Sequence, residues 1–302
     1  MGQKLKLSLC ITVRNEQTSI EKLMDSLLGQ SRTPDEIVVI DGGSSDRTVQ
    51  LLQTYQARYS HLNVISARQA NIAEGRNLSI AQARYDHIAS ADAGVEYPRT
   101  WLENLLRPFE ADSATDVVSG FFEPKSYTLF EECVGQMLYP KRNLMDWKKF
   151  LPSCRSVAFK RRVWEGLGGF AEWLPRGIGE DTHFFLRAQK AGYNFAYASD
   201  ATCYWRPRQN YRKLFEQYFF YSKGASAGRS SAFMFEAYGA NPLAFTIRNL
   251  GKLVQEGKLL HLGVSISILA VVLVAKITGY IAGLTQGPPT SPRNEPAEEK
   301  SS

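Results

Sequence analysis

Four acids and three arginines are the residues of this chain best placed to do chemistry. Asp41 ends the apolar run Ile37-Val38-Val39-Ile40 and opens into Gly42-Gly43-Ser44-Ser45, so it marks the point where a buried parallel strand gives way to a turn. An acid at the carboxyl end of a strand in an open α/β sheet can accept hydrogen bonds from a base or a ribose; it can equally cap the helix that follows, because helix N-termini favour Asp and Ser. Asp92 repeats the arrangement at the end of His87-Ile88-Ala89-Ser90-Ala91. The pair Glu180-Asp181 stands at a helix start, where a carboxylate is held in one direction and either takes a proton from a hydroxyl or caps the helix. Arg76, in the turn Gly75-Arg76-Asn77, and Arg206 and Arg208 after Tyr204-Trp205 offer cations to an anionic ligand. A solvated surface arginine is the competing reading of Arg76.

The elements that must position these residues follow from hydrophobic spacing. Residues 7–13 read as a strand that opens into Arg14-Asn15-Glu16. The helix after it is signalled by Thr18 and Glu21 at capping-box spacing and by Ile20, Leu23, Met24, Leu27 and Leu28 on one face. Two consecutive strand–turn–helix units with polar tips make a nucleotide-binding crevice. The first lacks G-x-G-x-x-G, and no G-x-x-x-x-G-K-[ST] occurs, which excludes a dinucleotide cradle and a P-loop. A short strand over 63–66 and a helix over 73–83, entered through Gly75-Arg76-Asn77, come next. Pro98 introduces a helix with Trp101, Leu102, Leu105, Leu106 and Phe109 on one face. Residues 117–122 read as a strand, 124–152 as a looser aromatic and basic stretch, 153–159 as a strand, and 161–164 as a helix stopped by Gly168-Gly169.

In their order, residues 8–16, 39–48, Glu74-Gly75-Arg76-Asn77, 89–94 and Gly179-Glu180-Asp181 resemble the successive motifs of the family 2 glycosyltransferases, inverting enzymes of the GT-A fold. The resemblance covers roughly residues 5 to 225. It implies an α/β domain with a mostly parallel central sheet flanked by helices, a nucleotide-sugar donor such as a UDP-sugar, and transfer to an acceptor hydroxyl with inversion. Thr12, Arg14, Glu16, Asp41, Arg76 and Asp92 are then the donor-binding residues. Asp181 is the general base, Glu180 its neighbour on the acceptor side, and Arg206 and Arg208 brace the departing diphosphate. Asp92 is also the metal residue, the first acid of the family's D-x-D motif, for a divalent cation, magnesium or manganese. The third position is Gly94 rather than Asp, with Glu96 two residues on as a substitute. A single Asp can still serve a hard cation whose other ligands are phosphate oxygens and water. His183 reads as a packing or acceptor-contact residue.

Composition sets the surroundings. A net charge of +6 suits anionic partners, but the basic residues are scattered and no base-reading module occurs, which argues against nucleic acid. Cys10, Cys133, Cys154 and Cys203 lack metal-ligand spacing and read as reduced, packed thiols. The first strand begins almost at once, so no signal peptide is expected. Residues 211–223 interleave aromatic and cationic side chains, as a bilayer interface or a lipid-phosphate acceptor would favour and an ordinary packing helix would also allow. Residues 259–284 are apolar apart from His261, Lys276 and small hydroxyl residues, long enough for one bilayer crossing, although a buried helix of a soluble protein has the same composition. Arg248, Lys252 and Lys258 precede this segment and place the catalytic domain on the cytoplasmic face. The division expected is a GT-A domain over 1–225, an amphipathic juxtamembrane linker over 226–258, a transmembrane or membrane-associated helix over 259–284 and a disordered tail over 285–302. The acceptor is lipid-linked or a polysaccharide. A sugar nucleotidyltransferase lacks its Gly-rich loop here, a dehydrogenase its dinucleotide motif, and a non-catalytic membrane relative is the reading that Gly94 favours.

Overall fold

The computed structural model describes residues 5–139, 142, 145, 150–174, 179–227 and 242–285. In chain order the elements are β1 (Leu7–Val13), α1 (Ile20–Leu28), β2 (Glu36–Asp41), α2 (Thr48–Gln56), β3 (Leu62–Ser66), α3 (Ile72–Gln82), β4 (His87–Asp92), β5 (Val95–Glu96), α4 (Trp101–Ala111), β6 (Val117–Pro124), α5 (Leu129–Leu138), β7 (Val157–Lys160), α6 (Arg161–Leu167), α7 (Glu180–Lys190), β8 (Phe195–Trp205), α8 (Tyr211–Ala227), α9 (Pro242–Gln255) and α10 (Leu259–Leu284). All eight strands form one sheet in the order β3-β2-β1-β4-β7-β6-β8-β5. Only β7 and β5 run against the others, so the expected α/β architecture with a mostly parallel sheet is what forms.

Register explains why the strand tips meet. Val13 pairs with Asp41 across β1 and β2, and Thr12 pairs with Asp92 across β1 and β4. Parallel strands in register end together, so the polar residues at the ends of β1, β2 and β4 crowd one edge of the sheet. The strands are buried on both faces: Leu7, Leu9, Ile37, Val38, Val39 and Ile40 have no exposure. On α4 the predicted face of Trp101, Leu102, Leu105, Leu106 and Phe109 is wholly or almost wholly buried. Each such side chain contributes about 1.5–3 kcal/mol.

Several local expectations need correction. Thr18 does not cap α1. The helix starts after Ser19 with no side-chain cap, because the backbone N–H groups of Ser19 and Ile20 already donate to the Glu16 carbonyl. Helix α3 starts one residue earlier than expected, at Ile72, through a capping box in which Asn71 accepts from the Glu74 N–H and Glu74 accepts from the Asn71 N–H. Gly75-Arg76-Asn77 therefore lies inside the helix. The stretch read as loose contains α5, whose first turn is capped by the Thr128 hydroxyl. The strand expected over 153–159 is shorter, and residues 153–156 form a turn before it. Gly168, with φ +69°, ends α6 as expected. All four cysteines are free and buried.

The C-terminal helices pack on the end of the domain. Helix α8 and helix α10 run side by side in the same direction: the Tyr211 and Ser267 hydroxyls meet at 2.6 Å, and further along Gly279 faces Phe219 while Gly283 faces Lys223 and Ser226. A Cβ on Gly279 would collide with the Phe219 carbonyl, so this spacing requires glycine. Ser265, Ile268, Val272 and Ala275 continue the packed face. On the far side Leu273, Val274, Ile277, Tyr280, Ile281 and Leu284 are exposed. Among the described residues α10 is the one helix long and apolar enough to cross a membrane. Most of the tail expected to be disordered, from residue 286, and residues 228–241 of the expected linker lie outside the described residues.

Candidate active site

The loops after β1 and β2 hold each other. The Asn15 N–H donates to the Ser44 hydroxyl at 2.8 Å, the Ser45 N–H donates to Asn15 Oδ1 at 2.8 Å, and the Glu16 N–H donates to Thr48 Oγ1 at 2.7 Å. Asn15 reaches a left-handed φ of +56°, a conformation that asparagine tolerates better than most residues. Asp41 does not cap the following helix, whose N-cap is Arg47; it holds the turn between β2 and α2. Its buried carboxylate accepts from the Gly43 and Ser44 N–H groups at 3.1 and 3.0 Å, and from the Ser44 hydroxyl. Its neighbours Ile40 and Gly42, together with Thr12, Arg14 and Glu16, line the cleft beside it.

That cleft, of about 1470 Å³, collects most of the residues singled out by sequence. Arg76 lies at its centre, its side chain only 6% exposed. One guanidinium nitrogen bonds Asp92 Oδ1 at 2.6 Å and another pairs with the Glu180 carboxylate. Burial works against the arginine's charge, but the surrounding Cys154, Asp92 and Asp181 outweigh it and hold the guanidinium above its ordinary range. Arg76 is thus neither a solvated arginine nor part of a turn. It is a buried tie between the tip of β4 and the start of α7. Asp92 is held a second way, since its N–H donates to the Tyr97 hydroxyl at 2.8 Å while that hydroxyl donates to the Arg155 carbonyl at 3.0 Å.

Asp181 lies in the first turn of α7, behind Gly179, which caps the helix at φ +85°. Its Oδ2 accepts from the Ser153 hydroxyl at 3.1 Å and its Oδ1 from the Thr182 N–H at 2.8 Å. These two hydrogen bonds hold the carboxylate, and Asp181, Asp92 and Arg76 line the same cleft. His183 packs its ring edge-on to Trp173, and burial, reinforced by Arg187 and Lys190, lowers its pKa to about 4. It is neutral at pH 7. Arg206 is tied through Nε to the buried Glu131 at 2.7 Å, and Arg208 through Nε to Gln217 at 2.9 Å; both line the cleft.

Glu96, the substitute metal acid of the sequence reading, is clamped between Lys22 at 2.5 Å and Lys125 at 2.6 Å. Desolvation pushes its pKa up, but the two lysines outweigh this and keep it low. Its charge is spent on a cross-link. No group of three or more His, Cys, Asp or Glu able to hold a metal occurs among the described residues.

Sequence reasoning missed the roles of two cleft residues, Arg155 and Lys276, and of Tyr97 behind the cleft. Arg155 stacks over Phe122 and Trp205 at 5.0 and 4.9 Å, contacts that join β6, β8 and the turn before β7 and leave no local signal. Tyr97 orients Asp92 from beyond β5. Lys276, a charge within the apolar segment 259–284, lines the cleft with its ammonium 5.5 Å from the centre of the Tyr218 ring.

Comparison with known proteins bears on the family and the fold. The chain is 27% identical over 231 residues to the glycosyltransferase AglE of Haloferax volcanii, a match covering 72% of each chain. It is 28% identical over 206 residues to the O-antigen chain rhamnosyltransferase WbaN of Salmonella anatum, covering 63% of this chain and 62% of that one. Against several other curated relatives the match spans only about a third of their length. Among solved structures, the mannosyltransferase PcManGT of Pyrobaculum calidifontis, in complex with GDP-Man and Mn2+, superposes with a TM-score of 0.60 at 20% identity, covering 93% of this chain and 86% of that one. The family model described as glycosyl transferase family 2 matches residues 8–162, half of the sequence and the part that builds β1 through β7. The chain belongs to glycosyl transferase family 2 and has the GT-A fold.

Proposed function

We propose that this protein transfers a glycosyl group from a nucleotide-sugar donor to an acceptor hydroxyl with inversion, at a membrane surface, in the assembly of a polysaccharide or glycolipid. The observation that carries the reading is the fixed Asp181 carboxylate in one cleft with the Arg76–Asp92 pair. As the acceptor oxygen forms its bond to the anomeric carbon, Asp181 takes the hydroxyl proton, and the bond from that carbon to the diphosphate breaks. Arg206 and Arg208 stand ready to neutralise the charge that develops on the leaving diphosphate. Thr12 at the end of β1 and Arg14 and Glu16 on the loop after it hold the nucleoside side, with Asp41 beside them bracing that loop through Ser44. Asp92 would hold a divalent cation, which when bound supplies further charge neutralisation to the diphosphate.

Helix α10 supports the membrane assignment, and α8 argues for how it lies. Crossing the bilayer would carry its parallel companion α8 along, with the exposed Arg212, Lys213 and Glu216 beside the middle of α10. Buried charges are costly in a bilayer, so we read α10 as resting in the plane of the membrane, apolar face down, with Arg248, Lys252 and Lys258 near anionic headgroups. Carbonate washing tests this: an in-plane helix is released, whereas a crossing one is retained.

The activity is tested by incubating the full chain with UDP- and GDP-sugars and membrane lipid extract. Release of nucleoside diphosphate coupled to a glycosylated product is the expected result. Absence of release under all donors would leave a non-catalytic relative, and pyrophosphate formed from a sugar phosphate would mark a nucleotidyltransferase.

A further inference from the structure

Lys276 sits in an unusual place for a lysine. No charged residue occurs between Leu262 and Ala275 before it or between Ile277 and Leu284 after it. On a helix advancing about 100° per residue, it falls on the flank between the face packed against α8, with Ala275 and Gly279, and the exposed apolar face of Leu273, Ile277 and Tyr280. A lysine on an apolar helix ordinarily extends its ammonium toward water at a membrane surface. Here the side chain instead reaches over Tyr218 and lines the catalytic cleft.

The acids of the cleft, Glu16, Asp92, Glu96, Glu180 and Asp181, come from the sheet edge and α7, where arginines and lysines such as Arg76, Lys22 and Lys125 accompany and pair with them. The wall built by α8 and α10 contributes Lys213, Gln217, Tyr218, Tyr221, Ser222 and Lys276, with two cations and no acid. The cationic wall therefore meets the exposed apolar face of α10 along one line, and Lys276 stands on it. A ligand matching that edge has a hydrocarbon chain on one side and an anion immediately next to it.

Resting on the transferase reading above, we propose that Lys276 binds the phosphate of an amphipathic acceptor, a lipid-linked saccharide whose chain lies against α10 and whose sugar hydroxyl reaches Asp181. The phosphate is the acceptor's own. It is neither the donor diphosphate, which faces Asp92 and Arg76, nor a bulk headgroup.

Binding of geranylgeranyl phosphate and of geranylgeraniol to the full-length protein in neutral detergent, measured by tryptophan fluorescence, tests this. The wild type should prefer the phosphate by about tenfold or more, the scale of one charge-assisted hydrogen bond. Lys276→Met should abolish the preference, Lys276→Arg should keep it, and both should bind UDP and GDP as the wild type does. Retention of the preference by Lys276→Met would overturn the proposal, as would loss of nucleotide affinity in that variant, which would assign the lysine to the donor. Equal competition by phosphatidylglycerol would also overturn it, since the contact would then be to headgroups in general. A wild type that binds nucleotides but does not distinguish phosphate from alcohol defeats the Lys276 proposal alone. One that binds no nucleotide and releases none from any donor defeats the transferase reading itself.

Discussion

Arg76→Met should damage the fold before it damages the chemistry, and the structure sets the size of the effect. The side chains of Arg76 and Glu180 are 6% and 5% exposed, while Asp92 at 21% keeps some contact with water. Methionine preserves an unbranched apolar stem but leaves Glu180 buried without its cation. Breaking a buried pair in this way costs about 3–5 kcal/mol, most of it the uncompensated charge that remains. In a domain of this size each kcal/mol moves the melting temperature by about 2–4 °C, so the variant should melt about 6–20 °C lower. Removing the stranded charge as well should recover much of the loss, so Arg76→Met/Glu180→Gln should be more stable than Arg76→Met. Glu180→Gln alone should lose less than Arg76→Met, because Arg76 keeps Asp92. Melting curves of the four proteins close a double-mutant cycle, with a coupling between residues 76 and 180 of about 0.5–3 kcal/mol expected for contacting groups. A double variant as unstable as the sum of the singles would refute the tie between β4 and α7.

Three other outcomes follow from the site. Asp181→Asn should keep the fold and nucleotide affinity while lowering turnover by about 10²–10⁴-fold, measured as product formed under saturating donor; near-normal transfer would remove Asp181 as the base. Activity should collapse in EDTA, and Gly94→Asp should lower the manganese or magnesium concentration that restores it. Nothing lies within 4 Å of a Cβ placed on Gly94, and its φ of +72° is one that aspartate tolerates at a cost of about 1–2 kcal/mol; an unchanged metal requirement would show that this position does not face the ion. His183 titrates near 6.5 when unfolded and about 4 when folded, so the unfolded chain binds more protons between those values and stability falls as pH drops through them. His183→Gln should therefore lose less melting temperature than the wild type between pH 7 and pH 4.5, and equal losses would refute the burial argument.

What was legible in the sequence is what short-range spacing encodes. The runs that became β1, β2 and β4 ended on polar residues, and their register brought Thr12, Asp41 and Asp92 to one edge, as the strand-tip reading expected. The start of α7 at Glu180 was equally readable, because its acids directly follow a glycine. Residue types alone did not reveal how the charges would be shared. Asp41 reads as a helix cap or a ligand-binding acid, and its hold on the turn depended on Ser44 folding back onto it. Glu96 looked available until Lys22 and Lys125, from α1 and the end of β6, closed on it. Spacing puts Arg76 near a helix start, but its burial between Asp92 and Glu180, 16 and 104 residues away, leaves no local signal. Helix α5 escaped because its contacts are made by α9 and α10, through Asn249 donating to the Gln136 carbonyl and Cys133 meeting the His261 carbonyl, rather than by periodic burial against the sheet. The same late-chain elements supply Lys276 to the cleft. Long-range pairing decided where Arg76 and Glu96 spend their charge, because a charge seeks its partner across the whole fold while capping and periodicity act within a turn or two of the chain.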